Sequence, residues 1–510
     1  MTRIAKRQRT SCRTGYSRIR LELRPHEQPW LASVTPALAQ HLFYIEANLE
    51  FSYFVTSNHY LSDIVGLYCL SLFLDGEGMA ARRRVYRQRI EFEMAKQVYP
   101  DGGDYEASTG YHVLVMQLFA TGLLLMRTEA ASPPAPAFVE LLGMMFRFLN
   151  TLASSSGELP HVGDCDDGRT ELLADDLRQM ILCPHRGMSS LKVSNLLGLG
   201  QRLFGEGEGA GDDAAWYGLT ETTRVPYSKP KANAPPGGPS TVLPNSGIGV
   251  LRNGSAELLF FAMPNGIFGK GSHTHNDKLS FVLRVDGEEV LSDSGTGCYT
   301  RDLATRNRFR STAAHNTLLI DGTEQNRVPP GPGGCFYLGN EAAVSSIKEG
   351  GKAGGCFLRA SHTGYGSLGV THTRTIRTMD GEPSFVIEDE LAGEGFHDIE
   401  FNLQLASNRN ADLTQDESSI KCRIFGNPQV QLEVIGPTGL QGAMLPSLLS
   451  TAYGVTIPAM KMRLWGKAAI PTRIVTRISW TDVKEMQRGH AASTQEASIR
   501  PAVLEGVHPV

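Results

Sequence analysis

The feature that most constrains this chain is a change of hydrophobic period part-way along it. From about residue 36 to 217 apolar side chains recur at i, i+3, i+4 and i+7, the spacing of one face of an α-helix. AQHLFYIEANLEFSYF, NHYLSDIVGLYCLSLFL, RRVYRQRIEFEMAKQV, YHVLVMQLFATGLLLMR and AFVELLGMMFRFLNTLA each hold the pattern for several turns, and further helices are expected at about 170–182 and 188–204. Short connections such as Pro100-Asp101-Gly102-Gly103 predict antiparallel helix hairpins. RVPYSKPKANAPPGGPSTVLP then carries prolines 226, 230, 235, 236, 239 and 244, which suit neither a helix nor a central strand.

Beyond that stretch the period falls to two. IGVLRN, AELLFFAM, KLSFVLRV, EEVLSD, NTLLIDG and later runs are short and separated by glycine-rich turns, as in a large antiparallel sandwich. LSFVLRV-DG-EEVLSD is the clearest hairpin: Asp286-Gly287 suits a type I′ turn and sets Arg284 opposite Glu289, Val282 opposite Leu291 and Ser280 opposite Asp293. The expected organisation is an arginine-rich disordered arm over 1–35, a helical domain over 36–222, a proline-rich linker over 223–244 and a β-domain over 245–510.

Composition narrows the function classes. A net charge of −4 leaves no basic footprint for nucleic acid, so any anionic ligand must be met by local arginines and histidines. The eight cysteines are scattered without a CxxC pair, which argues against a zinc ribbon or a disulfide framework. The longest apolar run, 111–126, is shorter than a membrane span and contains His112 and Gln117, so a buried helix is expected and no membrane insertion. The first thirty residues lack the apolar core of a secretory signal.

Three polar clusters of the helical half converge if the hairpins are antiparallel. Asn58 and His59 follow the capping pair Thr56-Ser57, and Tyr111 follows Ser108-Thr109. One antiparallel helix separates the two, so both N-termini point to the same end, where ELPHVGDCDDGR brings His161, Asp164, Asp166, Asp167 and Arg169. The positive end of the helix dipole should ease ionisation of the Tyr111 phenol. Taken singly, Asn58 and His59 suit capping or surface positions, Tyr111 a core position and GDCDDGR a solvated turn better than they suit a site.

In the β half, GSHTHNDKLSF places His273 and His275 two positions apart, on one face of an extended segment. Asp293 and His315 would complete a set of nitrogen and oxygen ligands of a kind that zinc accepts. The hairpin register sets Asp293 opposite Ser280, so a shared metal demands a bend at 275–278.

GKGSHTHNDKLSFVLRVDGEEVLSDSGTGCYT followed by RNRFRSTAAHNTLLIDGTEQN resembles the signature region of heparinase II/III-like polysaccharide lyases, and NLEFSYFVTSNHYLSDIVGLY, EASTGYHVL and LPHVGDCDDGR resemble that family's helical motifs in order. The resemblance, over roughly 36–410, implies an incomplete (α/α) toroid followed by an antiparallel β-sandwich, with the toroid truncated at its start. It implies β-elimination on a uronic-acid polysaccharide, an acidic polysaccharide partner, and a cell-envelope or periplasmic location. Asn58 and His59 would neutralise the uronate carboxylate, Tyr111 would be general base or acid, and His273 would join from the sandwich. His275, Asp293 and His315 would hold one structural zinc per chain, with Glu106, Arg169, Tyr299, Arg308 and Arg310 in supporting contact with substrate. A non-catalytic carbohydrate-binding protein of the same fold is the alternative. A hydrolase using HTH fits poorly, because such enzymes carry the motif on an early strand of a βα barrel.

Overall fold

The computed structural model describes residues 28–74, 76–129, 133–170, 191–205, 238–352 and 355–481. Its helical part runs α1 (Gln28–Ala47), α2 (Asn58–Phe73), α3 (Met79–Gln97), α4 (Thr109–Met126), α5 (Pro136–Leu152) and α6 (Ser194–Phe204). The first helix opens at Gln28, so the stretch 28–35 assigned to a disordered arm is helical. The helix expected at 170–182 lies almost wholly outside the described residues, as do most of the linker and the arm up to 27.

Serine caps fix two helix starts that matter for function. The Ser57 hydroxyl accepts from the His59 backbone N–H, and the Ser108 hydroxyl accepts from that of Tyr111. α4 would suit a membrane span by length and hydropathy, but 83% of it is buried against the rest of the chain, which makes it the central helix of the helical layer.

Among the described residues the β part forms three antiparallel sheets. The first holds β1 (Ser240–Leu243), β2 (Ile248–Asn253), β3 (Ala256–Phe261), β4 (Ser280–Val285) and β5 (Glu288–Leu291) in sequence order. β1 pairs with β2 from Ser240 onward, so strand structure begins inside the stretch expected to be linker. The eight-stranded sheet includes β8 (Gly355–His362), β9 (Thr371–Met379), β10 (Glu382–Ala392) and β17 (Thr472–Trp480); the four-stranded one has the order β15 (Gln441–Ala452), β16 (Val455–Ala469), β11 (Phe396–Gln404), β6 (Leu318–Ile320).

The first sheet is the hinge of the architecture, because both of its faces are buried. Val250, Leu259 and Val282, paired across β2, β3 and β4, join the helical core, whereas Leu251, Leu258 and Leu283 join the sandwich core. Alternation along each strand thus glues helices to one side and the other sheets to the other. Arg284 reinforces the seam by donating to the carbonyls of Leu152, at 2.7 Å, and Glu158.

The β4–β5 hairpin departs from the expected register. Asp286 and Gly287 adopt positive φ, as a type I′ turn needs, and Arg284 faces Glu289. The ladder then slips: Leu283, not Val282, pairs with Leu291. One extra residue on β5 makes a bulge, so the remaining pairings expected from strict alternation, including Ser280 with Asp293, do not form. Ser292 instead donates to the Gln404 carbonyl, which carries Asp293 away from β4.

Candidate active site

Two loops and a strap bring the polar clusters together. Glu106 ends the turn before α4, where its buried carboxylate accepts from the Asn58 backbone N–H at 2.9 Å and from Asn58 Nδ2 at 3.1 Å. This contact ties the start of α2 to the start of α4. The strap 160–165 crosses the same end: the Thr109 N–H donates to the Val162 carbonyl, and the Asp164 N–H donates to the His273 carbonyl at 2.9 Å. Gly163 sits at φ +70°, and a Cβ there would lie 2.6 Å from the His273 carbonyl oxygen, so the close approach of strap and sandwich needs glycine.

Asp164 is the centre of the site. It is fully buried and accepts from His273 Nδ1 at 3.1 Å, His275 Nε2 at 2.9 Å and both terminal nitrogens of Arg306, with Nη2 at 2.6 Å. Burial alone would raise its pKa, but the Arg306 guanidinium and the two imidazoles hold the carboxyl far below the usual carboxylate range. The charge also sets the tautomer of His275. His273 lies between two carboxylates, Nδ1 on Asp164 and Nε2 3.4 Å from Glu106, so a proton on either nitrogen has an acceptor; with Nε2–H of His275 donated to Asp164, its Nδ1 keeps a lone pair.

Tyr111 lies on the other side of His273. The two rings stack at 3.7 Å, and the phenol is 3.1 Å from Asp166 Oδ2 and 3.2 Å from the Tyr299 hydroxyl. Burial, followed by the Asp166 charge, pushes the Tyr111 pKa strongly upward. The helix dipole was expected to ease its ionisation; desolvation and a facing carboxylate outweigh the partial charge of a helix end. Tyr299 is buried against Phe336 and Tyr453, with the Arg306 guanidinium 5.1 Å from its ring centre.

The turn at 276–279 supplies the bend that the histidine pair required. Leu279 takes a positive φ, the Ser280 N–H donates to the Asp277 carbonyl, and Gln325 clamps Lys278 through its N–H and carbonyl. His275, Asp293 and His315 consequently converge, each offering a ligand atom within 4.8 Å of the other two, all buried. His315 Nδ1 lies 2.7 Å from Asp293 Oδ2, whereas His275 Nδ1 and His315 Nε2 are buried without a hydrogen-bond partner. Two orphaned imidazole nitrogens whose opposite nitrogens face carboxylates are what a metal site presents. Burial pushes His275 toward its neutral form, the form that ligates.

Of the other candidates, His59, Arg308 and Arg310 stand apart from this cluster. His59 is exposed and pairs with Glu50 at 2.7 Å, whereas Asn58 beside it is buried. Arg310 is buried but donates to the carbonyls of Gly334, Cys335 and Tyr337, fastening the loop that carries Phe336. Arg308 is exposed on the opposite side of α7 (Leu303–Phe309), and Arg169 is half-buried in the segment after Asp166. Arg306, in the same RNRFR run, is the arginine that enters the site. Its signal was the phase of α7: with Asp302 as N-cap, residues 306 and 310 share the inward face and 308 does not.

The family described as Heparinase II/III N-terminus matches residues 20–184, and Heparinase II/III-like, C-terminal, matches residues 235–455. The chain belongs to the heparinase II/III-like family. This heparinase II/III-like chain is 22% identical over 411 residues to a heparin-sulfate lyase of Bacteroides stercoris, covering 79% of itself and 53% of that protein. Its fold matches a solved heparinase III with TM-score 0.64 at 19% identity, over 94% of this chain and 67% of that one. It also matches the heparan sulfate lyase of Pedobacter heparinus, with TM-score 0.60 at 17% identity, over 89% and 64% of the two chains. The chain thus spans about half the length of the curated relative. The architecture of the family, an incomplete (α/α) toroid followed by an antiparallel β-sandwich, is the one described above.

Proposed function

We propose that this chain is a polysaccharide lyase that cleaves a uronic-acid-containing polysaccharide by β-elimination. The observation that carries the reading is the Tyr111 phenol, stacked on His273 and hydrogen-bonded to both Asp166 and Tyr299. A phenol with a raised pKa is a weak acid at rest, yet its oxygen becomes a strong base if its own proton has somewhere to go. Asp166 is that acceptor. As Tyr111 takes the proton from the carbon next to the uronate carboxylate, its phenolic proton passes to Asp166.

The electron pair of the broken C–H bond forms the C=C bond, and the C–O bond to the leaving sugar breaks. Tyr111 then delivers the substrate proton to the leaving oxygen and recovers its own from Asp166, so the enzyme ends as it began. Charge building on the uronate carboxylate is met by the Asn58 amide and the His273 imidazole, both oriented by Glu106. His59, at the surface with Glu50, serves substrate at the rim rather than at the reacting carbon. Tyr299 and Arg306 shape the floor beneath the leaving group.

We assign zinc to His275, Asp293 and His315, since two imidazoles and one carboxylate suit that ion. Bound there, it would fasten the 276–279 turn to the 293–315 segment, a structural role that leaves the proton chemistry to Tyr111. The family's envelope or periplasmic setting is adopted for this chain.

The test is ultraviolet absorbance of unsaturated uronate after incubation with heparan sulfate, alginate, hyaluronan and bacterial exopolysaccharides. A product from at least one of them, lost in Tyr111→Phe, is expected. Folded, metal-loaded protein that binds a glycan and never yields the unsaturated sugar would instead favour a non-catalytic carbohydrate-binding role.

A further inference from the structure

Arg308 does not enter the Tyr111 cluster, and its position raises a separate question. It flanks a cleft of about 90 Å³ lined by Ser294, Ser311, Gln404, Ser447 and Lys461, on the outer side of the segment that carries Asp293 and His315. The cleft joins the end of α7 to β11, β15 and β16. Lys461 reaches into it from β16, where one of its three N–H donors meets the Ala313 carbonyl at 3.1 Å.

Charge is unbalanced here. No acidic side chain lines the cleft, and among the described residues neither Arg308 nor Lys461 has a carboxylate partner. Glu400, the acid that acts on Lys461 through space, is already held by Arg463 at 2.6 Å and Asn402 at 2.9 Å. Burial depresses the Lys461 pKa, Glu400 partly offsets it, and the Arg463 and Arg308 charges add to the depression. Gln404 uses its amide N–H groups on the Leu405 and Met460 carbonyls and accepts from the Ser447 hydroxyl, so the wall opposite Arg308 is rigid and polar.

We propose that this cleft binds a tetrahedral oxyanion, a sulfo or phosphate group, between the Arg308 guanidinium and the Lys461 ammonium. The guanidinium offers a planar fork and the ammonium a point charge from the other side, a pairing that suits an anion with oxygens in several directions. The volume accommodates one such group. The oxyanion is either free in solution or projects from a chain lying across the mouth.

The site is independent of turnover, so it is tested without it. Calorimetric titration of the full chain with sodium sulfate, against sodium chloride at matched ionic strength, is expected to show saturable binding. Arg308→Ala, an exposed change that should leave the circular dichroism unaltered, is expected to weaken it about tenfold, and Lys461→Met to act in the same direction. Sulfate binding no stronger than chloride, or binding equal in wild type and Arg308→Ala, overturns the proposal. A sulfated oligosaccharide that displaces sulfate while its desulfated counterpart does not upholds a carbohydrate-borne group; displacement by neither, with sulfate still bound through Arg308, upholds a free oxyanion. Lyase activity lost in both variants with sulfate binding intact contradicts this assignment and leaves the Tyr111 chemistry standing.

Discussion

At the scale of single residues, the site depends on paired groups whose environments push them apart. Tyr111 is held as a phenol and Asp164 as a carboxylate, and both touch His273. Tyr111→Phe keeps the stacking and removes the proton carrier, so kcat should fall about 10²- to 10⁴-fold with KM little changed. Steady-state kinetics on the preferred glycan checks it, and a loss confined to KM would contradict the role. Arg306 and Asp164 are both fully buried, so Arg306→Leu strands a charge and should cost about 3–5 kcal/mol of stability. A urea midpoint equal to wild type would show that the pair is not the keystone proposed here. Asn58, Tyr111 and Asp164 were legible in the sequence as groups converging on one end of the helical array, whereas His273, in the β half, was joined to them only through the family resemblance. Arg306 was not singled out, because choosing among three arginines in RNRFR needs the phase of a seven-residue helix.

At the scale of elements, the decisive devices are a bulge, a bend and a strap. The bulge in β5 and the left-handed Leu279 release Asp293 and His275 from the ladder and let them meet His315. His315→Ala should abolish stoichiometric metal in elemental analysis and lower the melting temperature, and chelation of the wild type should lower it likewise. If chelation removed activity at a temperature where the fold was intact, a purely structural metal would be ruled out. The strap is equally exacting. Gly163→Ala forces a Cβ against the His273 carbonyl in a left-handed conformation, an expected penalty of about 1–3 kcal/mol. It should reduce activity more than stability, because His273 is what moves; activity measured at full folded fraction tests this. Alternating period predicted strands on both sides of Asp286-Gly287, but a one-residue bulge leaves no trace in a hydrophobic pattern.

At the scale of the whole molecule, the helical and sandwich cores meet on opposite faces of one five-stranded sheet, so neither half presents a complete site without the other. The sandwich is pinned internally by Asp389, which Arg374 grips at 2.7 and 3.0 Å and His372 reaches at 2.7 Å, all buried. Burial would raise the Asp389 pKa, but Arg374 and His372 bring it below the ordinary value; burial depresses His362 and His372, and pushes His112 down to about 3. At these four groups the unfolded chain therefore binds more protons than the folded one in acid. For the histidines, stability is full above about pH 6.5 and declines as pH falls toward their depressed folded values. Asp389 adds a further loss as pH falls below about 4. Urea midpoints should thus drop between pH 7 and 5 and again below 4, and a flat profile from 7 to 5 would contradict buried neutral histidines.

The sequence by itself determined the two periods, the serine caps, the turn at Asp286-Gly287 and hence the order of helical array and sandwich, because these follow from local sterics and the spacing of apolar side chains. Only the tertiary structure decided which polar residues share a site. Asp164 meets His273 across 109 positions and Arg306 across 142, distances along the chain at which neither period nor propensity carries information. Desolvation, which raised the Tyr111 pKa against the helix dipole, likewise exists only once both layers have closed around it.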